Sequence, residues 1–579
     1  MLAALADAPT AARATSPVPA STAEPDVRRD IDAVFAAWDH WDTPGAAVVV
    51  LRDGEVFYQR GYGSAQLEYA IPITPSTVFH VASVSKQFTC MTIELLARDG
   101  KLSWDDEAHR YLPELPDYGA PSPAPGSSGA EGVVDTTPGA PPITLRHLAN
   151  HTSGIRDQWE LLMMGGWRFD DVITREHILR MVFRQRELNF APGAEHLYSN
   201  SGYSLLAEVA ARVAGKPFRE VAAERIFRPL GMSRTRVHDD LEEIVPGRAY
   251  SYAPRDGGGY RNSVLSYSND GATSLFTTVE DMARWLRNFE TGEVGGKAAI
   301  ESLATRGVLS SGKTIDYALG LANGTYRGAR AISHAGSDAG FRSMMIWLPE
   351  HRLGVAVLAN LASFDAGGAA QSVIDVVIGD RLAPAPAAPG GKVGTAAHPP
   401  VELPSTLLDE YVGAYQLDIG ALVTIARRDS GLVARDPMGE SSALVPLSQT
   451  ELLMQANGAI LTFDRVAGKP SPGFKVRLGG QSFTGKRIEP LPTAGLTDLL
   501  GDYWSDELMT GYRLLREGDR LIARHARHPD VELYALAVDT LAGDVWWFTR
   551  AAITRDATGR VDGLRLSGNR VRNVRFVRR

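Results

Sequence analysis

The stretch "SVSKQFTCMTIELLARDGKL", residues Ser83 to Leu102, decides how the rest of the chain is read. Its apolar residues recur at helical spacing and Gly100 closes it, which predicts one helix with Ser83 and Lys86 at its head. Residues three apart on a helix share a face, so the lysine amine can reach the serine hydroxyl. A serine at a helix N-terminus also meets the positive end of the dipole, which favours a developing oxyanion. A serine hydroxyl is a poor nucleophile until a base takes its proton, and lysine serves as that base only when neutral. The plain structural alternative is a capping serine followed by a surface lysine. Cys90 lies further along the same face and reads as a small core residue rather than a reactive thiol.

The S-x-x-K spacing recurs in "GVLSSGKT", Gly307 to Thr314, where Ser310 pairs with Lys313. The same eight residues match a phosphate-binding loop, which needs a buried strand before it and a helix after it. "AAIESLATR" before it reads as helical, and "IDYALGLANG" after it is broken by glycine, so the context supports neither requirement. The first S-x-x-K has partners downstream that the second lacks. "YSN", Tyr198 to Asn200, stands just before a helix; a tyrosine can relay a proton, and an amide can hold a substrate amide or orient a lysine. "SHAGSDAGF" carries His334-Ala335-Gly336 into a strand, where a glycine lets a substrate backbone approach. Taken singly, these are equally a buried aromatic, a helix-capping asparagine and a structural histidine.

Around these motifs the chain divides by texture. Residues 1–25 are rich in Ala, Pro, Ser and Thr and read as a disordered leader. "RRDIDAVFAAW" is helical, and "GAAVVVLRDGEVFYQRGYG" is a hairpin about Asp53-Gly54. Residues 116–142 are a turn-rich surface loop. "YSLLAEVAARVAGKPFREVAAERIF" gives two helices split at Gly215-Lys216-Pro217, and "FRSMMIWLPEHRLGVAVLANL" gives two strands. One domain is expected over 26–382, then a Pro-, Gly- and Ala-rich linker over 383–403. Beyond it, short alternating strands replace helices. Gly413-x-Tyr415 followed by "GLVAR" is echoed by Gly501-x-Tyr503 followed by "RLIAR", which predicts two similar small antiparallel β-barrels, 404–491 and 492–579.

The chain has 579 residues, 44% hydrophobic and 22% charged, with a net charge of −8. That balance fits a globular chain of several domains and argues against a nucleic-acid surface. A single cysteine excludes an intrachain disulfide and a cysteine-rich metal site. No metal or cofactor is expected, and no apolar run has the length of a membrane span. "MLAALADAPTAARA" lacks a basic n-region; the expected compartment is periplasmic or secreted if a signal peptide preceded it and cytoplasmic otherwise. The expected partner is a small-molecule or short-peptide substrate, with a homodimer allowed.

Order and setting join the motifs. S-x-x-K on a helix, then Tyr-x-Asn in a loop, then a basic residue-x-Gly at a strand resembles the penicillin-recognising serine hydrolases: class C β-lactamases, D-alanyl-D-alanine carboxypeptidases, D-aminopeptidases, and related esterases and amidases. "LRHLANHTSGI", "IFRPLGMSRT" and "LPEHRLGVAVLAN" are similar to the same family, and the resemblance covers about residues 30–381. It implies an α/β sandwich, an antiparallel sheet flanked by helices, beside a helical subdomain. It implies Ser83 as nucleophile, Lys86 as its activator, Tyr198 sharing the proton work and Asn200 positioning lysine or substrate. The backbone N–H groups of Ser83 and Ser337 would form the oxyanion hole, and Gln158 would meet the substrate amide. His334 stands where many members have lysine in Lys-Thr-Gly, so a fixed positive charge near neutral pH is not guaranteed. Histidine there is similar to D-aminopeptidases and several amidases and esterases. A catalytic domain followed by two barrels resembles the three-domain D-aminopeptidases, in which a barrel loop reaches the catalytic mouth. The expected function is a serine hydrolase forming an acyl-enzyme on small amides or peptides that contain D-amino acids. A carboxylesterase, a peptide-cyclising acyltransferase and a non-catalytic ligand-binding protein on the same fold remain the other readings.

Overall fold

The computed structural model describes residues 24–118, 141–255, 257–384, 401–436, 441–455, 458–478, 481–492 and 495–579. Most of the leader, of the 116–142 loop and of the 383–403 linker lies outside the described residues.

Asp53 and Gly54 both take positive φ, 53° and 80°, the turn that pairs β1 (Ala46–Arg52) with β2 (Glu55–Tyr62). The chain then leaves the sheet for the helical part and returns as β3 (Ala322–Tyr326), β4 (Ala329–Asp338), β5 (Phe341–Leu348) and β6 (Leu353–Ala359). The six strands lie in the order β3-β4-β5-β6-β1-β2, with β1 against β6 from Ala46↔Ala359 to Arg52↔Leu353. Interior strand β1 carries an unbroken apolar run because both of its faces are covered. Ala46, Val48 and Val50 pack in one cluster with Ile31 and Phe35 of α1 (Pro25–Phe35). Ala47, Val49 and Leu51 face the other cluster, which holds the helical part.

That part is organised on α2 (Lys86–Arg98), of which every residue from Lys86 to Leu96 is buried. Around it stand α3 (Gln158–Met164), α4 (Asn200–Ala214) and α5 (Val279–Thr291); α6 (Ala366–Ile378) joins α1 on the far face of the sheet. Gly215 closes α4 with φ 65°, at the break read from Gly215-Lys216-Pro217.

Two closed eight-stranded antiparallel barrels follow, over Gly413–Leu417 to Gln481–Ile488 and over Gly501–Ser505 to Val574–Arg578. The repeat read from the sequence has a shared physical basis. In each barrel the first strand carries the tyrosine, which donates to the carbonyl four residues back: Tyr415 to Tyr411 at 2.9 Å and Tyr503 to Leu499 at 2.7 Å. The "GLVAR" and "RLIAR" segments are the third strand of each. The first barrel has its own aromatic core of Tyr411, Tyr415, Phe463 and Phe474. The second shares one continuous core with the helical part, through residues such as Tyr512, Trp547 and Phe548. Tyr512 also donates to the Met164 carbonyl at 3.0 Å, and fully buried Arg156 meets Glu507 at 2.7 Å.

Candidate active site

Ser83 lies in a 3₁₀ turn, Ala82–Ser85, that feeds directly into α2 rather than in the α-helix itself. A strand, Phe79–His80, runs almost straight into it, so the chain must turn sharply. Ala82 takes φ 48°, a left-handed conformation costly for a residue with a Cβ. The surroundings hold it there. Ala82 N–H donates to His80 Nδ1 at 3.2 Å, and Ser85 Oγ donates to the Ala82 carbonyl at 2.6 Å. Ser83, partly exposed, is thereby presented at the head of a buried helix.

Lys86 is fully buried and spends its amine on three acceptors: Ser83 Oγ at 3.1 Å, Asn200 Oδ1 at 2.8 Å and the Ala272 carbonyl at 2.7 Å. No described carboxylate makes an ion pair with it. The third acceptor was not legible in "GATSLFTTVEDM", because a backbone carbonyl leaves no mark on residue identity. Asn200 is oriented from below. Asp157 Oδ2 accepts from its backbone N–H at 2.7 Å and from Nδ2 at 2.8 Å, so the amide oxygen is the atom left for Lys86. Asp157 also caps α3 through Trp159 N–H at 3.0 Å.

Tyr198 presents its ring to the amine, with Lys86 Nζ 5.1 Å from the ring centre. His151, unassigned in the sequence reading, packs on the same tyrosine with ring centres 4.1 Å apart, and its Nδ1 accepts from Ser199 N–H at 3.1 Å. It therefore shapes the Tyr198-to-Asn200 loop. Burial and the nearby Lys86 charge hold its pKa well below the usual histidine value.

His334 is buried, and both of its nitrogens are engaged. Nδ1 lies 2.6 Å from the Ala335 carbonyl and Nε2 lies 2.8 Å from the Tyr317 hydroxyl. A proton on Nδ1 satisfies both contacts, with Tyr317 donating to Nε2. Burial first, and then the Lys86 charge, push its pKa down to about 3, so the ring is neutral near neutral pH. Tyr317 follows "GVLSSGKT" and was missed. That stretch is a surface turn with Lys313 exposed, Val308 bridging to Thr314 and Gly312 at φ 84°. No helix follows it, and what it delivers to the site is Tyr317.

Two expectations need correction. Gly336 was read as leaving space for substrate, but a Cβ there would stand 2.3 Å from both the Val81 carbonyl and Ser343 Oγ. The space is filled by the protein itself: glycine lets β4 press against the turn that carries Ser83. Gln158 was expected to meet a substrate amide. It is fully buried, its Oε1 accepts from Ser204 Oγ at 2.8 Å, and its Nε2 is sealed from solvent without a partner. A substrate has no path to it in this arrangement. Ser337 is exposed on β4, where pairing with β3 has ended at Ala322↔Ser333, so its strand is bordered there by β5 alone among the described strands. Cys90 is buried 3.7 Å from the Tyr203 hydroxyl, and burial pushes its thiol up to about 12, consistent with a core role.

The second barrel reaches this site. Its loop Gly568–Asn573 places the Arg570 guanidinium 4.9 Å from the centre of the Tyr198 ring. Buried Glu160 of α3 receives the loop backbone, from Asn569 N–H at 2.6 Å and Arg570 N–H at 2.5 Å. Asn189 brackets it, donating to the Arg570 carbonyl at 2.8 Å and accepting from Arg572 N–H at 2.7 Å. No group of three or more His, Cys, Asp or Glu side chains among the described residues is placed to hold a metal, and no described helix is long and apolar enough to cross a membrane.

Comparison with known proteins agrees with this architecture. A D-aminopeptidase of Gluconobacter oxydans is 29% identical over 328 residues, 57% of this chain; the chain spans 58% of that relative's length. A D-aminopeptidase of Brucella melitensis is 24% identical over 569 residues, covering 94% of this chain and 98% of its own, barrels included. The octameric penicillin-binding protein homologue from Pyrococcus abyssi shares the fold, with a TM-score of 0.52 and 21% identity over 80% of this chain and 99% of that one. The beta-lactamase family model matches residues 31–377, the whole sheet and its helical insertion, and the chain therefore belongs to the beta-lactamase family of serine hydrolases.

Proposed function

We propose that the protein hydrolyses small amides or short peptides of D-amino acids through an acyl-Ser83 intermediate. The observation that carries this reading is the contact between the buried Lys86 amine and Ser83 Oγ at 3.1 Å, where the other acceptors of the amine are an amide and a backbone carbonyl. With the amine neutral, the Ser83 O–H donates to Nζ and the oxygen attacks the substrate carbonyl as its proton moves to Lys86. The backbone N–H groups of Ser83 and Ser337 receive the oxyanion. The proton then passes to the leaving amine, with Tyr198 sharing the transfer, and the C–N bond breaks to leave the Ser83 ester. Water attacks that ester by the same route in reverse. Asn200 and the Ala272 carbonyl hold the lysine on line, and neutral His334 shapes the wall of the site. The preference for D-residues draws support from the D-aminopeptidases to which the chain is similar.

The test is a panel of D- and L-amino-acid p-nitroanilides, D-Ala-D-Ala peptides, nitrocefin and short p-nitrophenyl esters, with wild type and Ser83→Ala. Turnover of D-amides together with fluorophosphonate labelling, both lost in Ser83→Ala, is the expected result. Labelling or turnover retained by Ser83→Ala sinks it.

A further inference from the structure

Two basic side chains meet beside the candidate nucleophile. Lys86 and Arg570 both lie over the Tyr198 ring, at 5.1 and 4.9 Å. The nearby carboxylates are already engaged by the protein. Asp157 accepts both Asn200 N–H groups, Glu160 accepts the two loop N–H groups, and Asp338 accepts from the Thr273 hydroxyl. Asp157 and Glu160 are buried with both oxygens already accepting, so neither is open to a substrate ammonium. His334 supplies no charge near neutral pH, because burial opposes its protonation, and its two nitrogens are taken up by the Ala335 carbonyl and the Tyr317 hydroxyl.

Arg570 is different. Its backbone is pinned on both sides by Glu160 and Asn189, while its guanidinium makes no ion pair or side-chain hydrogen bond with any described residue and is exposed. The neighbouring Arg572, by contrast, is spent on Glu195 at 3.1 Å. The loop also leaves little slack: a Cβ on Gly568 would fall 2.5 Å from Glu160 Oε1. A free planar fork of donors, held over an aromatic ring at the mouth of a site, is arranged to take a carboxylate in two parallel hydrogen bonds.

We propose that Arg570, delivered by the second barrel, is the specificity residue of the Ser83 site and selects substrates that carry a carboxylate close to the scissile amide. The proposal rests on the acyl-Ser83 reading and narrows it: the site takes anionic D-peptides in preference to amides whose nearest charge is a free ammonium. The barrel is then part of the binding site and not an appended module.

The test separates charge recognition from catalysis. Full-length Ser83→Ala protein, which cannot turn over, is titrated calorimetrically with N-acetyl-D-alanyl-D-alanine and with its C-terminal amide, and with succinyl- and acetyl-D-alanine p-nitroanilide. The members of the first pair differ in carboxylate against carboxamide, and those of the second in one carboxymethyl group. In at least one pair the carboxylate member binds about tenfold tighter or more. Adding Arg570→Gln removes that difference while the neutral member's affinity holds within about twofold, Arg570→Lys restores part of it, and Arg570→Glu reverses it. Equal affinity within both pairs, absence of binding by the carboxylate members, or a parallel loss for both members in Arg570→Gln overturns the assignment. Failure of the hydrolase reading shows elsewhere, as wild-type protein that fluorophosphonate does not label at Ser83.

Discussion

Asp157 grips Asn200 at two points, the backbone N–H at 2.7 Å and the side-chain Nδ2 at 2.8 Å, and so decides which end of that amide faces Lys86. An asparagine without this grip can flip, and its NH₂ would then point at an amine that needs an acceptor. Asp157→Ala should lower kcat by about 10- to 100-fold, the loss of one hydrogen bond to a charged group, with KM changed far less. Steady-state kinetics on the best substrate of the panel checks it. A kcat within about twofold of wild type would show that Asn200 keeps its orientation without Asp157.

Gly336 makes the second prediction. A methyl group there meets the Val81 carbonyl at 2.3 Å, and Val81 stands two residues before Ser83. Backbone cannot yield as a flexible side chain does, so Gly336→Ala should displace the turn. A shift of about 1 Å in a reacting atom costs on the order of 100-fold in rate. The expected result is a fall of that size in Ser83 labelling by fluorophosphonate, with the far-ultraviolet spectrum and the second barrel's docking retained. Normal labelling would mean that β4 can retreat without moving Ser83.

The buried histidines make the protein sensitive to acid. His334 is held near 3, and His80 and His151 well below the usual value, each chiefly by burial. In the unfolded chain these rings take a proton below about pH 6.5, while the folded protein refuses it until well below that, near 3 for His334. Their contribution to stability is therefore full above 6.5 and is lost as pH falls from 6.5 toward 3. Buried carboxyls such as Asp270, pushed up to about 6, act in the opposite direction, so the clean measurement is a difference. The stability gap between wild type and His334→Asn should shrink by up to about 1.4 kcal/mol per pH unit below 6.5. Urea titrations at pH 7 and 5 read it, and a gap independent of pH refutes it.

Arg156 tests how firmly the second barrel is bound. It is fully buried, bonds Gln185 at 2.9 Å and Glu507 at 2.7 Å, and donates through Nε to the Arg572 carbonyl at 3.0 Å. Arg156→Ala leaves the Glu507 carboxylate buried without its counter-charge, which costs about 3–5 kcal/mol. Scanning calorimetry should show a lower transition, with part of the loss recovered in Arg156→Ala/Glu507→Gln. If the double variant is no more stable than the single one, the buried charge is not the source of the loss.

Local rules made much of this site legible. Ser83 and Lys86 are neighbours because residues three apart must face the same way, and Tyr198-x-Asn200 shows its side-chain donors and acceptors in the sequence itself. Asp157, His151 and Tyr317 were not legible. Each acts through an orientation set by distant packing, and each residue type is common enough to pass for structure. Gly336 was singled out for the right property, close approach, but with the wrong neighbour, since only the folded sheet reveals that Val81 and not a substrate lies against it.

The sequence by itself determined the local elements: the hairpin about Asp53-Gly54, the helix that follows Ser83 and two repeated sets of short strands, each encoded by periodicity and turn residues that act within a few positions of themselves. Tertiary structure alone decided where Arg570 goes. Nothing near "SGNRVRN" marks it as part of the Ser83 site, because the contact is made by Glu160 and Asn189, far away in the chain, and by the shared core that fuses the last barrel to the helices. Long-range docking is set by surfaces that exist only after folding, and those surfaces place the free charge at the mouth of the site.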